Sequence, residues 1–226
     1  MALQDTNEIT FLYIFDSRLT ERLNYPTSKS ITRKVEKISE TGSKSYVDVH
    51  ERPYGFVEGM LIDIQLKTFE KSKEWYFWLQ DGVEKYCLKL RYSSRESKRL
   101  LSYLPNADLG HFIRVQVFRE KEGSGTALLV KQRDAYLKSG FTKDNPNGLP
   151  QMVKGYNSEG KEVWNDDDQM VFFEKLVNET LNPKLHRLHG TPARLRPRND
   201  APADAPPTAP SFAPVPPVEN GDDLPF

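Results

Sequence analysis

The alternation of apolar and polar positions predicts a chain that is mainly β. Short runs with side chains of period two, or rich in aromatic and β-branched residues, recur as far as residue 133. They predict strands at 9–16, 31–38, 44–50, 55–69, 73–79, 85–92, 111–119 and 126–133. The polar stretch 16–30 contains Tyr25-Pro26, so we expect a loop there, or a single helical turn.

Two helices are expected among these strands and after them. The first, 98–104, follows a Ser-Ser pair that can cap it and stops before Pro105. Residues 140–165 are rich in Asn, Gly and Pro and predict a loop. Apolar residues at three- and four-residue spacing then predict an amphipathic helix that begins near Asn165 and ends at Asn182-Pro183.

The order of elements from Gly55 onward predicts an OB-fold. Three strands, a short helix and two more strands match this five-stranded Greek-key barrel, which binds oligonucleotides on its second and third strands. We place the barrel core at 55–134, extra strands at 9–50 and an appended loop and helix at 140–182, within a domain of residues 1–183. An SH3-like barrel or a sandwich fits the strand count almost as well, but the short helix before the fourth strand favours the OB-fold.

The segment 73–92 holds the residues that suggest chemistry. Asp81-Gly82 separates an aromatic run from an alternating run, which is a hairpin signal. One face of the second run is apolar and the other is basic, so the hairpin could stack bases and hold phosphates. Equally, the rings could belong to the core and the cations to a solvated face. If the hairpin binds nucleic acid, the candidate residues here and on the fourth strand are Trp75, Tyr76, Trp78, Lys85, Lys89, Arg91, Phe112, Arg114 and Phe118.

The parity of the aromatic strand decides which rings face outward, and the sequence leaves it open. We expect Tyr76 and Trp78 to face the ligand, because Phe77 and Leu79 suit an interior better. The second hairpin, formed by 31–38 and 44–50, is basic as well. It is either a solvated edge or an arm that touches nucleic acid.

The zero net charge hides a strong asymmetry at the end of the chain. Residues 184–199 carry five Lys or Arg and no acid, whereas residues 200–226 carry five acids and no Lys or Arg. Ten of the sixteen prolines follow residue 191, so we expect a basic linker at 184–199 and a disordered, Pro-rich acidic tail at 200–226. Such asymmetry is typical of nucleic-acid-binding proteins and interaction tails.

The chain ends with Asp222, Asp223, Leu224, Pro225 and Phe226. This ending resembles that of bacterial single-stranded-DNA-binding proteins, which finish in a Pro-rich linker and an acidic tip of the form Asp-Asp-aliphatic-Pro-Phe. The barrel of that family starts near the N-terminus, whereas about fifty residues precede it here. The layout therefore looks more like phage-encoded members with added elements, and the tetramer of the usual bacterial protein does not carry over. The resemblance implies that the five tip residues recruit replication and repair proteins.

Other chemistry is not expected from the sequence. The single cysteine, Cys87, excludes an internal disulfide and a Cys-based zinc site, and it fits a reducing compartment. His186 and His189 have metal-like spacing without a carboxylate near them in sequence, and Asp166-Asp167-Asp168 suits a helix N-terminus better than a nuclease site. We therefore expect no catalytic residues, no metal and no cofactor, in a protein of the bacterial cytoplasm without a signal peptide or a membrane span.

These observations predict that the protein binds and protects single-stranded DNA during replication, recombination or repair, largely without sequence preference. In this hypothesis it recruits partner enzymes through its tip, and a homo-oligomer is compatible with it. A second hypothesis is an OB-fold interaction module whose tip mimics that of the host protein and diverts its receptors. An enzyme such as a nuclease is the third, and it would degrade labelled DNA in the presence of a metal ion.

Overall fold

The structure, a computed structural model, describes residues 9–39, 42–70, 72–120, 125–156 and 160–191. The chain divides into two units, Met1–Pro192 and Ala193–Phe226, and all described residues lie in the first. The strands are β1 (Ile9–Phe15), β2 (Arg18–Leu23), β3 (Ile31–Ile38), β4 (Lys44–Tyr54), β5 (Phe56–Phe69), β6 (Ser72–Asp81), β7 (Glu84–Arg91), β8 (Ile113–Arg119), β9 (Thr126–Gln132), β10 (Ala135–Tyr136), β11 (Val153–Tyr156) and β12 (Glu162–Asn165). The helices are α1 (Arg95–Tyr103), α2 (Asp167–Leu176) and α3 (Asn182–His189), with a 3-10 turn at Leu104–Asn106 and a π-helical turn at Val177–Leu181.

The fold is mainly β, as predicted. Ten strands form one mixed sheet in the order β10-β9-β8-β5-β6-β7-β1-β2-β4-β3, and β11 and β12 form a separate hairpin. Every pair of neighbours in the large sheet is antiparallel except β1 and β7, which run parallel.

The sheet does not close into the predicted barrel. The five strands expected to form it lie side by side in the order β9-β8-β5-β6-β7, and α1 connects β7 to β8. In a barrel the outer strands β7 and β9 would pair, but within the described residues they do not. Strand β1 lies against β7 instead, with Phe11 opposite Cys87, and so takes the edge that closure would need.

Strand β2 lies where the sequence predicted a loop. Asp16 and Ser17 form a two-residue turn in which both φ angles are positive, 46° and 58°. That is the backbone of a tight hairpin turn, which more often contains Gly or Asn, so the sequence gave no clear signal. Leu19 is fully buried, and this burial holds the polar run Arg18–Leu23 in the sheet.

The aromatic-basic hairpin forms as predicted. Asp81 pairs with Glu84 across a turn in which Gly82 has a φ of +57°. Strands β5 and β6 approach closely at Gly59, where an added Cβ would lie 3.0 Å from the carbonyl oxygen of Gln80. The basic hairpin of β3 and β4 also forms, and β4 extends to Tyr54.

The C-terminal helix does not end at Asn182-Pro183, as the sequence predicted. Asn182 and Pro183 begin α3 directly after the π-helical turn Val177–Leu181, so the helical backbone continues through Pro183. The Asn182 side chain caps the edge of β5, because its Oδ1 accepts from Ile64 N at 3.1 Å and its Nδ2 donates to Ile64 O at 2.7 Å. Residues 184–189 of the predicted basic linker are therefore helical.

One core joins the sheet to the helices. Side chains from the inner face of β5–β9 meet the apolar faces of α1, α2 and α3 in a single buried cluster. Ser94 caps α1 by accepting a hydrogen bond from Ser97 N at 3.1 Å, as expected for a Ser at this position. The hairpin β11–β12 was missed, since residues 140–165 were predicted as a loop.

Candidate nucleic-acid interface

The two faces of β6 are assigned by its pairing with β7. Residues directly opposite each other in a sheet lie on the same face. Phe77 pairs with Leu88 and both belong to the core, whereas Tyr76 pairs with Lys89 and Trp78 with Cys87 on the other face. The expected orientation of Phe77 and Leu79 towards the interior therefore agrees with the structure.

Trp75 is part of the core and presents no free ring. It is 1% exposed, stacks on Tyr92 with ring centroids 6.0 Å apart, and donates from Nε1 to the Tyr92 carbonyl at 3.2 Å. Trp75 was predicted as a candidate for base stacking, but a ring buried in this way cannot receive a base. Its parity places it with Phe77 and Leu79, on the inner face.

Tyr76 and Trp78 lie on the outer face but are covered, with exposures of 5% and 2%. The Phe11 ring packs edge-on against Trp78 at 6.2 Å, and the ammonium groups of Lys67 and Lys89 lie 4.4 Å and 4.9 Å from the Tyr76 ring centroid. Neither ring offers a face to a base in this structure. Trp78 is covered by strand β1, whose position beside β7 the local sequence pattern does not encode, and Tyr76 is covered by Lys67 and Lys89.

Strand β1 supplies the aromatic side chains that β6 does not. Phe11 and Tyr13 pair with Cys87 and Lys89, so Phe11, Tyr13 and Phe15 share the outer face with Lys89. The spacing of these three rings, every second residue from 11 to 15, is visible in the sequence and could have identified them. Strand β2 adds Arg22 next to this row. Arg22 was not among the predicted site residues, because the sequence predicted a loop where β2 lies.

A cleft of about 780 Å³ lies over these strands. The turn between β1 and β2 lies close to the tip of β8 and β9, where Ser17 Oγ and Thr126 Oγ1 are 2.9 Å apart and Asp16 pairs with Arg119. The cleft lies between these elements and the first turn of α1. Its aromatic and charged lining consists of Tyr13, Phe15, Asp16, Arg22, Arg33, Glu51, Glu74, Lys89, Arg91, Glu96 and Arg119.

Cations lie over the rings of the cleft. The guanidinium carbon of Arg33 is 3.9 Å from the Phe15 centroid and that of Arg22 is 5.3 Å from the Tyr13 centroid. The Lys89 ammonium lies 4.3 Å from the centroid of Phe11 and 5.2 Å from that of Tyr13, and it donates to the Tyr13 hydroxyl at 3.2 Å. At these distances the cations are attracted to the ring faces.

The cations of the cleft divide into paired and unpaired groups. Arg33 donates to both carboxylate oxygens of Glu51, at 2.8 Å and 3.0 Å, and Arg119 pairs with Asp16. Among the residues that the structure describes, Arg22, Lys89 and Arg91 have no carboxylate partner. These three positive charges are therefore available to an anionic ligand.

Lys89 is positively charged at neutral pH despite being half-buried. Burial lowers the pKa of its ammonium, but the hydrogen bond to the Tyr13 hydroxyl and the neighbouring phenols of Tyr13 and Tyr76 outweigh that effect. The net pKa lies above its ordinary value. For Tyr76, burial raises the pKa of the phenol, so the ring stays neutral beside the lysine.

The remaining predicted residues do not line the cleft. Lys85 lies on the same face of β7 as Lys89, opposite Gln80. Arg114 pairs with Glu58 at 2.7 Å and lies over the Phe56 ring at 4.3 Å, on the outer face of β8. Phe118 is exposed on β8, and Phe112 is exposed directly before that strand. Of the nine nucleic-acid-binding candidates, the structure brings Lys89 and Arg91 into the cleft.

The histidines set aside from the sequence are held by the fold. His186 Nε2 lies 3.0 Å from Asp63 Oδ1, and His189 Nε2 lies 3.0 Å from the Leu109 carbonyl. Within the described ranges there is no group of three or more His, Cys, Asp or Glu that could hold a metal ion. No helix in the same ranges is long and apolar enough to cross a membrane.

The predicted partner-binding tip, Asp222–Phe226, lies outside the described residues, as do the tail 200–226 and residues 192–199 of the basic linker. Comparison of the chain with protein-family models, with curated proteins and with solved structures finds no match. The cleft and the sequence of the tip are therefore the features of this chain that indicate a function.

Proposed function

We propose that the protein binds single-stranded DNA in the cleft and recruits replication and repair proteins through its C-terminal tip. The observation that carries the proposal is the combination of an aromatic row on β1 with three cations that lack a carboxylate partner among the described residues. Proteins that bind single strands without sequence preference combine a basic groove for the backbone with rings on which bases stack.

In this proposal Tyr13 and Phe15 stack bases, while Arg22, Lys89 and Arg91 contact phosphates. Every base has an aromatic face, so stacking tolerates any sequence. Backbone contacts likewise carry no sequence information. The paired acids of the cleft, Glu51 and Asp16, hold Arg33 and Arg119 in place and need not meet the ligand.

The strand order supports a relationship to the OB-fold. In that fold the first strand lies between the second and the fourth, and β5 lies between β6 and β8 in the same way. The cleft lies on β7 and its neighbour β1. In the proposed correspondence β7 is the third strand of an OB-fold, which belongs to its binding face, and the hairpin of β1 and β2 extends that face. We propose that the domain is an opened OB-fold in which β1 and β2 occupy the place of closure.

The tip supports the recruitment part of the proposal by its chemistry. The Phe226 ring can enter an apolar pocket on a partner, and Asp222 and Asp223 can steer the approach. The resemblance of this ending to that of bacterial single-stranded-DNA-binding proteins adds to that argument.

A fluorescence-anisotropy titration of labelled oligo(dT) with the full chain tests the binding proposal. We expect saturable binding that weakens with salt and is reduced in Arg22→Ala, while Lys175→Ala, which removes an exposed cation of α2, serves as control. The absence of binding at low salt would overturn the proposal. Loss of labelled DNA during the titration, dependent on a divalent metal, would indicate an enzyme instead.

A further inference from the structure

The hairpin β11–β12 carries an exposed aromatic surface. Trp164 is 57% exposed and Tyr156 is 74% exposed, whereas the other two tryptophans, Trp75 and Trp78, are 1% and 2% exposed. Large exposed apolar groups that cluster on a folded surface mark an interaction site. Nothing in the sequence hypothesis assigned a role to these rings, because the stretch was predicted as a loop.

The two rings and a lysine share one face of the hairpin. Lys154 pairs with Trp164 and Tyr156 with Glu162, so all four side chains point to the same side. Trp164 and Tyr156 are diagonal neighbours, which in a sheet lie about 7–8 Å apart. The Lys154 ammonium lies 5.1 Å from the Trp164 centroid, a cation beside a ring as in the cleft.

The Lys154 charge is available to a phosphate. Its ion pair with Glu162 spans 3.3 Å, and both side chains are more than half exposed. Exposed pairs of this kind contribute little to stability, so a ligand can replace the pairing at small cost.

The hairpin is anchored to the lip of the cleft. Asp166, which follows β12 directly, accepts from Lys98 of α1 at 2.7 Å. The first turn of the same helix lines the cleft through Glu96. Glu174 of α2 accepts from Tyr92 at 2.5 Å, next to Arg91 of the cleft. A DNA single strand that leaves the cleft past Arg91 and Glu96 would therefore reach the part of the protein surface that holds the hairpin.

We propose that Trp164, Tyr156 and Lys154 form a second base-stacking platform, which binds the nucleotides of a single strand that leaves the cleft. The inference rests on the proposed single-stranded-DNA binding and extends it. A protein partner would also use exposed aromatic rings. The lysine over the ring and the connection to the cleft favour nucleic acid, because they repeat the ring-and-cation pattern of β1 and β7.

Two oligonucleotide lengths test this inference in the full chain. Sites on OB-type modules span roughly 4–16 nucleotides, so oligo(dT) of about 6 nucleotides should fill the cleft alone and about 20 nucleotides should reach the hairpin. We expect Trp164→Ala to weaken binding of the long oligonucleotide by about 5- to 150-fold and to leave the short one unchanged. Trp164→Tyr, which keeps a ring, should retain most of the affinity.

The control is Val153→Ala, since Val153 is exposed on the opposite face of the same hairpin. Quenching by acrylamide gives a second measurement, because Trp164 is the exposed tryptophan of the described residues and the long oligonucleotide should protect it. Unchanged long-oligonucleotide affinity in Trp164→Ala, or equal losses with Val153→Ala, would overturn the platform while leaving the cleft intact. A wild-type protein that binds neither oligonucleotide would overturn the proposed function as well.

Discussion

Arg91→Ala gives the sharpest test of the cleft. Arg91 lines the cleft, is exposed, and has neither an ion pair nor a side-chain hydrogen bond within the described ranges, so its removal should not affect folding. On a single strand each phosphate contact contributes about −0.7 to the slope of log affinity against log salt, so three such cations predict a slope of about −2. Removing Arg91 should flatten it by about 0.7, which at about 0.1 M salt is roughly a fivefold loss, or about 1 kcal/mol.

The assay is fluorescence anisotropy with oligo(dT) at four or more salt concentrations. Lys175→Ala is the matched control, because it removes one exposed positive charge of α2 outside the cleft. The wild type and Lys175→Ala should have the same slope, and Arg91→Ala a flatter one. If Arg91→Ala keeps the parental slope, Arg91 contacts no phosphate, and the assignment of the unpaired cations to the backbone of the ligand is refuted.

Three further predictions concern stability and recruitment. Trp78→Ala should lower the free energy of unfolding by about 3–5 kcal/mol in urea titrations, since it empties a buried site against Phe11, and a normal stability with lost DNA binding would contradict this. Burial raises the pKa of the Cys87 thiol from 9.0 to about 12, so this thiol ionises at a lower pH in the unfolded chain than in the folded one. The contribution of Cys87 to the free energy of unfolding should therefore be constant at neutral pH and decrease above about pH 9. The decrease in stability should be less steep in Cys87→Ala. Deletion of Asp222–Phe226 should abolish capture of replication proteins and leave the urea midpoint unchanged, whereas normal capture by the truncated chain would remove the tip from this role.

Local patterns in the sequence predicted most elements of the sheet, because alternation and turn residues act within a few positions. The hairpin β6–β7 follows from Asp81-Gly82, and the inward orientation of Phe77 follows from the apolar partner Leu88. Strand β2 was missed because its turn, Asp16-Ser17, adopts positive φ without a glycine. Its stability comes from the burial of Leu19, which is a tertiary effect.

The site was predicted less well than the elements, because it depends on which strands become neighbours. Lys89 was identified correctly as a residue of the basic face, and one of its ring partners, Tyr76, lies on β6 as expected. The other two, Phe11 and Tyr13, lie on β1, more than seventy residues away, as the Lys89–Tyr13 hydrogen bond shows. A parallel pairing between an N-terminal strand and β7 leaves no local signature, since parallel neighbours need no connecting turn. The alternating rings at 11, 13 and 15 were visible, but nothing in their pattern named β7 as the neighbour.

The same contacts explain how the free protein keeps such a cleft stable. Bare aromatic rings would form an apolar patch, and half-buried cations without a carboxylate would be costly to desolvate. Lys89, which is half-buried, offsets both costs by lying over Tyr13, and the exposed Arg22 covers the same ring, whose face attracts both charges. A nucleotide can satisfy both groups at once, since its base replaces the cation on the ring and its phosphate receives that cation. In the proposed binding mode, base stacking and phosphate contacts are therefore coupled through the same side chains, and removing the Tyr13 ring should weaken the phosphate contacts of Lys89 as well.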